Sequence, residues 1–315
     1  MSMSIVTLNG VSKAYAGKVA VHDLSLSIEP GTMFGLLGPN GAGKTSTIRM
    51  IVGITLPDSG TVRLFDAPFT RDSLARVGYL PEERGLYKKM KVLDQLIFIG
   101  QLHGLSAKSA GERSRHWAER MAIAESLEKK TEELSKGMQQ KIQFIATLLH
   151  QPSFIIMDEP FAGLDPINAK LIEDALLELK RNGCGILFST HHMDQVEKMC
   201  DAICLVHRGE AVLAGGMREI KSRFPRNRVL LDFAGDGSFL QGNELAGMIE
   251  EARLYPQHAE IKLRPGADAQ QLLRHAADRL QIFRYELEEP SLEEIFIQTV
   301  GGEAAGQNAE ETIHA

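Results

Sequence analysis

The stretch that decides the fold of this chain is GPNGAGKT, from Gly38 to Thr45, which follows the apolar run MFGLL at Met33 to Leu37. It matches the pattern G-x-x-x-x-G-K-[ST] at each defined position. The five apolar residues predict a buried strand, and the residues from Gly43 onward predict a helix. A strand, a glycine-rich loop and a helix in this order predict a phosphate-binding loop within an α/β domain.

Each residue type in this loop has a physical role around a phosphate group. Glycines permit backbone angles that a Cβ would forbid, so successive N–H groups can turn inward around an anion. The start of the helix adds the positive end of its dipole. Lys44 supplies a mobile cation for the β- and γ-phosphates, and the Thr45 hydroxyl is a Mg²⁺ ligand. We therefore predict a nucleoside triphosphate site formed by Gly38, Pro39, Asn40, Gly41, Ala42, Gly43, Lys44, Thr45 and Ser46.

Two further apolar runs, at 154–157 and 185–188, also end in polar side chains. In a parallel sheet the C-terminal ends of the strands line one edge, where ligands bind, so these side chains are expected to meet the phosphate loop. Asp158 can then hold Mg²⁺, Glu159 can polarise an attacking water, and His191 can orient the γ-phosphate or that water. The alternatives are a solvated acidic pair and a structural histidine.

The remaining patterns predict subdomains and a second domain. Alternating residues at 5–8 and 20–28 indicate antiparallel strands, and helical periodicity begins at Val92. Arg218 to Arg228 is basic and predicts a linker. Ser291, with Glu294 three residues later, forms a capping box that predicts a helix start. The predicted domains are a cassette at 1–220 with its helical subdomain at about 88–150, a small α/β domain at 225–300, and a disordered tail at 301–315.

Composition limits the class of protein. The chain has 315 residues, 35 basic and 41 acidic, and a net charge of −6, which disfavours a protein that wraps nucleic acid. No apolar run approaches the roughly 18–20 residues of a membrane-spanning helix, and the first residues show no signal-peptide pattern. The sparse cysteines, which are Cys184, Cys200 and Cys204, predict small buried side chains in a reducing compartment.

Five motifs together resemble those of the ATP-binding subunit of an ABC transporter: GPNGAGKT, LSKGM, IIMDEP, GLDP and STHH. The resemblance covers about residues 5–215. It implies a P-loop NTPase of the ABC cassette type, with a mixed sheet core, an antiparallel β subdomain and a helical subdomain. It also implies ATP and Mg²⁺ as ligands and a head-to-tail pair of cassettes.

This resemblance assigns expected roles to individual residues. Tyr15 would stack on adenine, although an isolated tyrosine before a glycine turn is more often a half-buried residue at a strand end. Glu159 would be the catalytic base, with His191 and Lys44 as its catalytic partners, and Asp165 would lie on the contact between two cassettes. Mg²⁺ would be held by Thr45, Glu82 and Asp158. The loop that acts on the partner subunit's ATP would consist of Leu134, Ser135, Lys136, Gly137 and Met138, which we call the signature loop.

Three positions, in two motifs, depart from the pattern of that family. Lys136 and Met138 replace a glycine and a glutamine in the signature loop, and Glu82 replaces a glutamine. Lys136 can strengthen a phosphate contact. A carboxylate at Glu82 can still bind Mg²⁺ or a water, but it adds negative charge near a triphosphate. The rate of hydrolysis is therefore left open.

The phrases YLPEERGLY and PSLEEIF resemble one branch of the family, whose subunits pair with separate permease chains and export drugs, sodium or other substrates. The expected partners are a membrane permease and a second ATPase subunit, identical or paired, with no nucleic acid. The expected location is cytoplasmic, peripheral on the inner face of the cell membrane. Two alternatives are a regulatory nucleotide-binding module with little turnover and a soluble non-transport ABC ATPase that acts on ribosomes or DNA.

Overall fold

The computed structural model describes residues 4–83 and 85–300, which form two compact units, one up to Met217 and one from Arg218. The predicted disordered tail, 301–315, lies outside the described residues. In the first unit the strands are β1 (Val6–Tyr15), β2 (Lys18–Ile28), β3 (Met33–Leu37), β4 (Ser59–Leu64), β5 (Ala67–Pro68), β6 (Val77–Leu80), β7 (Phe154–Asp158), β8 (Gly185–Thr190), β9 (Ala202–His207) and β10 (Glu210–Gly216). Its helices are α1 (Lys44–Ile51), α2 (Val92–Leu102), α3 (Ala107–Arg120), α4 (Lys136–Leu148), α5 (Pro166–Arg181) and α6 (Met193–Met199).

A six-stranded sheet in the order β10-β9-β3-β8-β7-β6 forms the centre of this unit. Its strands are parallel except for β10, which forms an antiparallel hairpin with β9. Every residue of β3, β7 and β8 is buried, as expected for parallel strands covered on both faces. Register pairs Leu37 with Thr190 and Asp158 with Ser189, so the polar strand ends lie at one edge. The predicted α/β core is confirmed.

A second sheet, in the order β2-β1-β4-β5, is antiparallel. The two predicted strands are longer than the alternation indicated, and the turn between them narrows to Ala16 and Gly17, both with positive φ. Strand β4 was not predicted, since only one of its six side chains is buried. The inner face of this sheet shares a hydrophobic core with α1 and with part of the central sheet.

Helices α2, α3 and α4 make up the helical region between β6 and β7. Helix α3 starts at Ser106, whose hydroxyl accepts a hydrogen bond from the Ser109 N–H. Gly100 and Ala110 allow α2 and α3 to approach closely, because a Cβ at Gly100 would lie 2.7 Å from the Ala110 Cβ. The predicted helical periodicity that begins at Val92 thus corresponds to two packed helices, α2 and α3.

Helix α7 (Met217–Ser222) begins at the boundary between the two units. The second unit continues with β11 (Arg228–Ala234), β12 (Ile249–Tyr255), β13 (His258–Leu263), α8 (Ala269–Ala277) and β14 (Gln281–Glu288). The strands form an antiparallel sheet in the order β12-β13-β11-β14, whose apolar face packs on α8. The predicted capping box forms: Ser291 Oγ accepts from the Glu294 N–H, and the Glu294 carboxylate accepts from the Ser291 N–H. The predicted linker at 218–228 is wrong in its first part, because α7 occupies it.

The three cysteines are buried with free thiols, and burial raises the pKa of Cys184 and of Cys204 to about 12. Such thiols stay protonated, which fits their predicted role as small core side chains. Among the described residues, no helix combines the length and apolar character needed to cross a membrane.

Candidate functional site

The phosphate loop connects the end of β3 to the start of α1, and its glycines are required by geometry. Gly38 has φ +145° and Gly43 has φ +112°, which L side chains rarely adopt. A Cβ at Gly38 would lie 2.1 Å from the Val206 carbonyl oxygen, and one at Gly43 would lie 2.4 Å from the Ala20 carbonyl oxygen. Helix α1 has no side-chain cap at Gly43, so its first N–H groups point into the loop without a side-chain acceptor.

Lys44, the first residue of α1, is buried at 7% exposure. Its ammonium donates to the carbonyl oxygens of Gly38 at 2.7 Å and Pro39 at 3.1 Å, which holds it beneath the loop. Burial lowers the pKa of Lys44, while the nearby carboxylates of Glu159, Asp158 and Glu82 oppose that shift. These three acids converge on the lysine although two of them are more than 100 residues away in sequence.

Asp158, at the end of β7, is 2% exposed and accepts two hydroxyl hydrogen bonds. The Thr45 hydroxyl donates to its Oδ2 at 2.9 Å, and the Ser189 hydroxyl donates to its Oδ1. Thr45, Asp158 and Glu82 line the same cleft. Together they offer one hydroxyl and two carboxylates, which is the oxygen ligand set that Mg²⁺ prefers.

Glu159 occupies a left-handed backbone conformation with φ +50°. Its N–H donates to the Ser189 carbonyl oxygen at 3.0 Å, which helps to hold this costly geometry. The carboxylate accepts from the Thr190 hydroxyl at 3.0 Å and from the His191 backbone N–H at 3.2 Å. His191 Nδ1 lies 2.7 Å from Glu159 Oε1. The carboxylate is thus oriented by three contacts, one from Thr190 at the end of β8 and two from His191 directly after it.

These residues line one open cleft of about 370 Å³. Its walls combine the phosphate loop, the ends of β7 and β8, Glu82 and Ala20 of β2. Tyr15 is not among the residues that line it. Tyr15 is 42% exposed at the end of β1, with the Lys13 ammonium 5.7 Å from its ring centroid. The stack of Tyr15 on adenine stays a prediction.

The signature loop does not line this cleft. Ser135 is the N-cap of α4, and its hydroxyl accepts from the Met138 N–H at 3.3 Å. Ser135 and Lys136 are exposed, while Leu134 is buried. Gln139 donates its side-chain amide to the carbonyl oxygens of Leu134 and Thr131, at 3.0 and 3.2 Å. Met138 stands where the family has a glutamine and offers no side-chain amide. The side-chain amide of Gln139, the next residue, holds the signature loop instead.

A buried polar network connects α4 to the predicted dimer contact at Asp165. Lys141 is buried, and its ammonium donates to the Met121 carbonyl oxygen and to Asn168 Oδ1, both at 2.7 Å. Asn168 in turn donates its side-chain amide to Asp165 at 2.6 Å, and Asp165 caps α5. The neighbouring Ile167 is 79% exposed. The end of α3, the middle of α4 and the start of α5 are thus joined at one lysine.

Sequence reasoning missed several of these residues. The polar cluster after the third apolar run contained Ser189 and Thr190, but only His191 received a role. A signal was present, because both precede His191 at a strand end. Lys141 and Gln139 had no such signal, since each partner carbonyl belongs to a different element.

The central sheet carries a phosphate loop, two acids and a histidine at the ends of its parallel strands, and a helical region lies between β6 and β7. This combination defines an ABC-type P-loop ATPase cassette. Residues 21–162 match the model of the ABC transporter family, and residues 215–300 match that of the ATP-binding protein DrrA1-3-like C-terminal domain. The chain belongs to the family of ABC transporter ATP-binding proteins. It is an ATP-binding subunit of a transporter.

Known proteins are similar over nearly the whole length. The ABC transporter ATP-binding protein YhaQ of Bacillus subtilis is 42% identical over 94% of this chain and 99% of its own. The linearmycin resistance ATP-binding protein LnrL of Bacillus subtilis is 30% identical over 92% and 96%. The Nod factor export ATP-binding protein I of Paraburkholderia xenovorans is 32% identical over 96% and 99%.

Solved structures are similar over the cassette. A structure of the ATP binding subunit of an ABC transporter has a TM-score of 0.66 and 28% identity, covering 70% of this chain and 93% of its own. A nucleotide-free ATP-binding cassette from an ABC transporter has a TM-score of 0.61 and 27% identity, covering 70% and 94%.

Proposed function

We propose that this chain is the ATP-hydrolysing subunit of an exporter and that it powers a separate membrane permease by ATP-driven, head-to-tail dimerisation. The observation that carries the proposal is the convergence of Lys44, Asp158, Glu159 and His191 in one cleft. Export is supported by the names of the relatives that serve linearmycin resistance and Nod factor export. The cassette would occupy residues 1–220, and 225–300 would be an accessory domain.

In this proposal the phosphate loop binds ATP. Lys44 exchanges its bonds to the Gly38 and Pro39 carbonyl oxygens for phosphate oxygens, and the uncapped N–H groups of α1 bind the same phosphates. Thr45, Asp158 and Glu82 hold Mg²⁺, which supplies charge neutralisation to the transferring phosphoryl group.

The base of the reaction is Glu159. Its carboxylate accepts a proton from the attacking water, and Thr190 and His191 fix its orientation. Since the chain already positions both carboxylate oxygens, the water needs only to be aligned with the γ-phosphate. Glu159 and His191 are therefore proposed as the catalytic pair.

The signature loop would act on the ATP of a second subunit. Ser135 and Lys136 are exposed at a helix start and lie outside the cleft that holds their own chain's phosphate loop. A hydroxyl, a cation and a helix dipole favour a γ-phosphate. Asp165, with the exposed Ile167 beside it, would lie on the same contact. The partner would be an identical chain or a paired ATPase subunit.

The permease would bind the helical region. Tyr87, Phe98 and Leu102 are exposed, and Tyr87 packs edge-on against Phe98. Beside them is a cleft of about 200 Å³ between the segment after β6 and the helices α2 and α4. An exposed apolar patch next to a cleft is typical of a protein-binding surface. This surface would carry the ATP cycle to the permease and place the chain at the inner face of the membrane.

The test is steady-state ATPase activity of the wild type and Glu159→Gln, together with molecular size in ATP and Mg²⁺. We expect turnover in the wild type, and in Glu159→Gln a loss of about 10²–10⁴-fold with an ATP-dependent dimer. Glu173→Gln, a change at a half-buried position on α5 outside the cleft, is the matched control and should keep wild-type turnover. Turnover near wild type in Glu159→Gln would show that the base is misassigned.

A regulatory module with little turnover is the second candidate, favoured by Glu82 and Met138. It predicts ATP binding without hydrolysis in the wild type. Glu82→Gln then discriminates the two candidates, because it removes a negative charge next to Lys44 and should raise turnover if that charge is the obstacle.

A further inference from the structure

A second cluster of ligand atoms lies at the cleft, apart from the proposed Mg²⁺ ligands. Glu159, His191 and His192 each offer one ligand atom, and these atoms all lie within 4.8 Å of one another. The imidazole rings of the two histidines are 4.1 Å apart at their centroids. His192 has no part in the proposed chemistry of ATP hydrolysis.

The chemistry of this cluster differs from that of the Thr45 and Asp158 site. Two imidazoles and one carboxylate are the ligand set of zinc sites with an open position, whereas Mg²⁺ prefers oxygen ligands alone. Asp158 is occupied by the hydroxyls of Thr45 and Ser189, so it need not take part. The two sites therefore use different residues and select different ions.

The geometry requires only small movements. Zinc binds nitrogen and oxygen at about 2.0–2.2 Å, so its ligands must come somewhat closer than the outer spacing of this cluster. Both histidines are exposed and can rotate, while the carboxylate of Glu159 is held by Thr190. Glu159 Oε1 and His191 Nδ1 lie 2.7 Å apart as a hydrogen-bonded pair, so these two atoms must separate slightly to bind the same tetrahedral ion.

We propose that Glu159, His191 and His192 form a transition-metal site, taking Zn²⁺, whose occupation stops ATP turnover. The inhibition rests on the proposed function, because it assumes that Glu159 is the base. On binding, the lone pairs of Glu159 Oε1 and His191 Nδ1 go to the metal, and the single imidazole proton of His191 moves from Nδ1 to Nε2 by exchange with solvent, so that the ring stays neutral. The metal-bound carboxylate can then no longer accept a proton from water.

The first measurement is metal binding, which does not depend on activity. Calorimetric titration of the nucleotide-free chain with ZnCl₂, and visible absorption on addition of Co²⁺, should both report one site involving His192. His192→Ala should weaken zinc binding by at least about tenfold, since even the loss of residues behind metal ligands costs 10–100-fold. His116→Ala, an exposed histidine on α3, is the matched control and should bind zinc as the wild type does.

The second measurement is ATPase activity at constant Mg²⁺ with increasing ZnCl₂. The wild type and His116→Ala should lose turnover and recover it on addition of EDTA. His192→Ala should keep its basal turnover and need at least about ten times more zinc for half inhibition. ATP also binds zinc, but it lowers the free zinc concentration equally in every sample. The ratio of the half-inhibiting zinc concentrations of His192→Ala and the wild type is therefore unaffected.

The outcomes separate this site from the proposed function. Equal zinc affinity in wild type and His192→Ala, or no binding in the wild type, would overturn the metal site. Zinc binding that depends on His192 but leaves turnover unchanged would overturn the inhibition. If Glu159→Gln retained turnover, Glu159 would not be the base and the proposed function would be wrong in that respect. The calorimetric result on His192 would still support the metal site.

Discussion

The starts of α1 and α4 both carry a lysine as the first helical residue, yet the two starts are built differently. Helix α1 begins after Gly43 without a side-chain cap, and Lys44 is buried beneath the loop. Helix α4 begins after Ser135, whose hydroxyl caps it, and Lys136 is exposed. The first start points its N–H groups into its own cleft, whereas the second lies outside that cleft.

The difference concerns what each start needs in order to bind phosphate. At α1 the N–H groups have no side-chain acceptor to lose, and only the Lys44 ammonium must exchange its bonds to the Gly38 and Pro39 carbonyl oxygens for bonds to phosphate. At α4 the Ser135 hydroxyl is engaged with the Met138 N–H. A phosphate there must share or replace that bond, and it must come from another molecule. The comparison predicts that α1 sets ATP affinity and α4 sets dimerisation.

Between the two helix starts, the largest effect is expected from Lys44→Ala. Loss of the buried cation should lower turnover by about 10²–10³-fold, which is the usual cost of removing one preorganised electrostatic contact from an enzyme active site. It should also weaken binding of a fluorescent ATP analogue. The matched change at the other helix start, Lys136→Ala, should leave ATP affinity of the monomer unchanged and lower turnover only a few-fold. Equal loss of ATP affinity in both variants would contradict the separation of the two helix starts.

A smaller effect is expected from Lys141→Met, which has a similar length but no donor. It leaves the Met121 carbonyl and the Asn168 amide oxygen without their partner, so the free energy of unfolding should fall by about 1–3 kcal/mol. Because Asn168 holds Asp165, the ATP-dependent dimer should also weaken. Urea denaturation and sedimentation measure the two effects.

Lys141→Arg keeps the charge and the donors and is the control for this network. It should retain more stability and more dimer than Lys141→Met. If both variants dimerise as the wild type does, then Lys141 supports the fold but does not position Asp165.

Ser135→Ala should cost about 1 kcal/mol of stability, the usual value of a lost N-cap, and should lower turnover while ATP affinity of the monomer stays the same. Ser135→Thr keeps the hydroxyl and should restore both stability and turnover in large part. A fall in monomer ATP affinity for Ser135→Ala would mean that α4 serves its own chain's nucleotide.

The parts of this site that sequence could predict are those that a local pattern defines. Fully buried apolar runs precede the phosphate loop, Gly38 to Thr45, and the polar residues at Asp158 and Ser189. Parallel topology alone brings these polar residues to the same edge of the central sheet. The network around Lys141 is different. Its partners, Met121 and Asn168, belong to other elements, so only the packing of three helices creates it.

The second unit shows the same limit. Strand β12 was not predicted, because its side chains are mostly charged or exposed and it lies at a sheet edge, paired with β13 alone. Helix α7 was taken for a linker on account of its basic composition, although Met217 and Ile220 are buried. In contrast, the capping box at Ser291 is a local signal and was predicted correctly.

The last effect is on the pH dependence of stability, with no change expected in activity, and concerns the far end of α4. His150 follows that end, stacks on His103 with ring centroids 3.9 Å apart, and has Nε2 3.0 Å from the Val77 carbonyl oxygen. Burial, with smaller contributions from His103 and Arg113, lowers the pKa of His150 to about 4. Unfolding returns it to about 6.5, so between these values the unfolded chain binds a proton that the folded chain does not.

Stability should therefore fall as pH drops from about 6.5 toward about 4. His150→Gln keeps a donor for the Val77 carbonyl oxygen and removes the titrating group, so its stability should fall less over this range. Urea denaturation at about pH 7 and about pH 5 measures the difference, with the exposed His116→Gln as control. An equal pH dependence in wild type and His150→Gln would show that the loss of stability arises elsewhere. A reduced dependence would show that a neutral histidine fixes the buried end of α4 against the Val77 carbonyl oxygen.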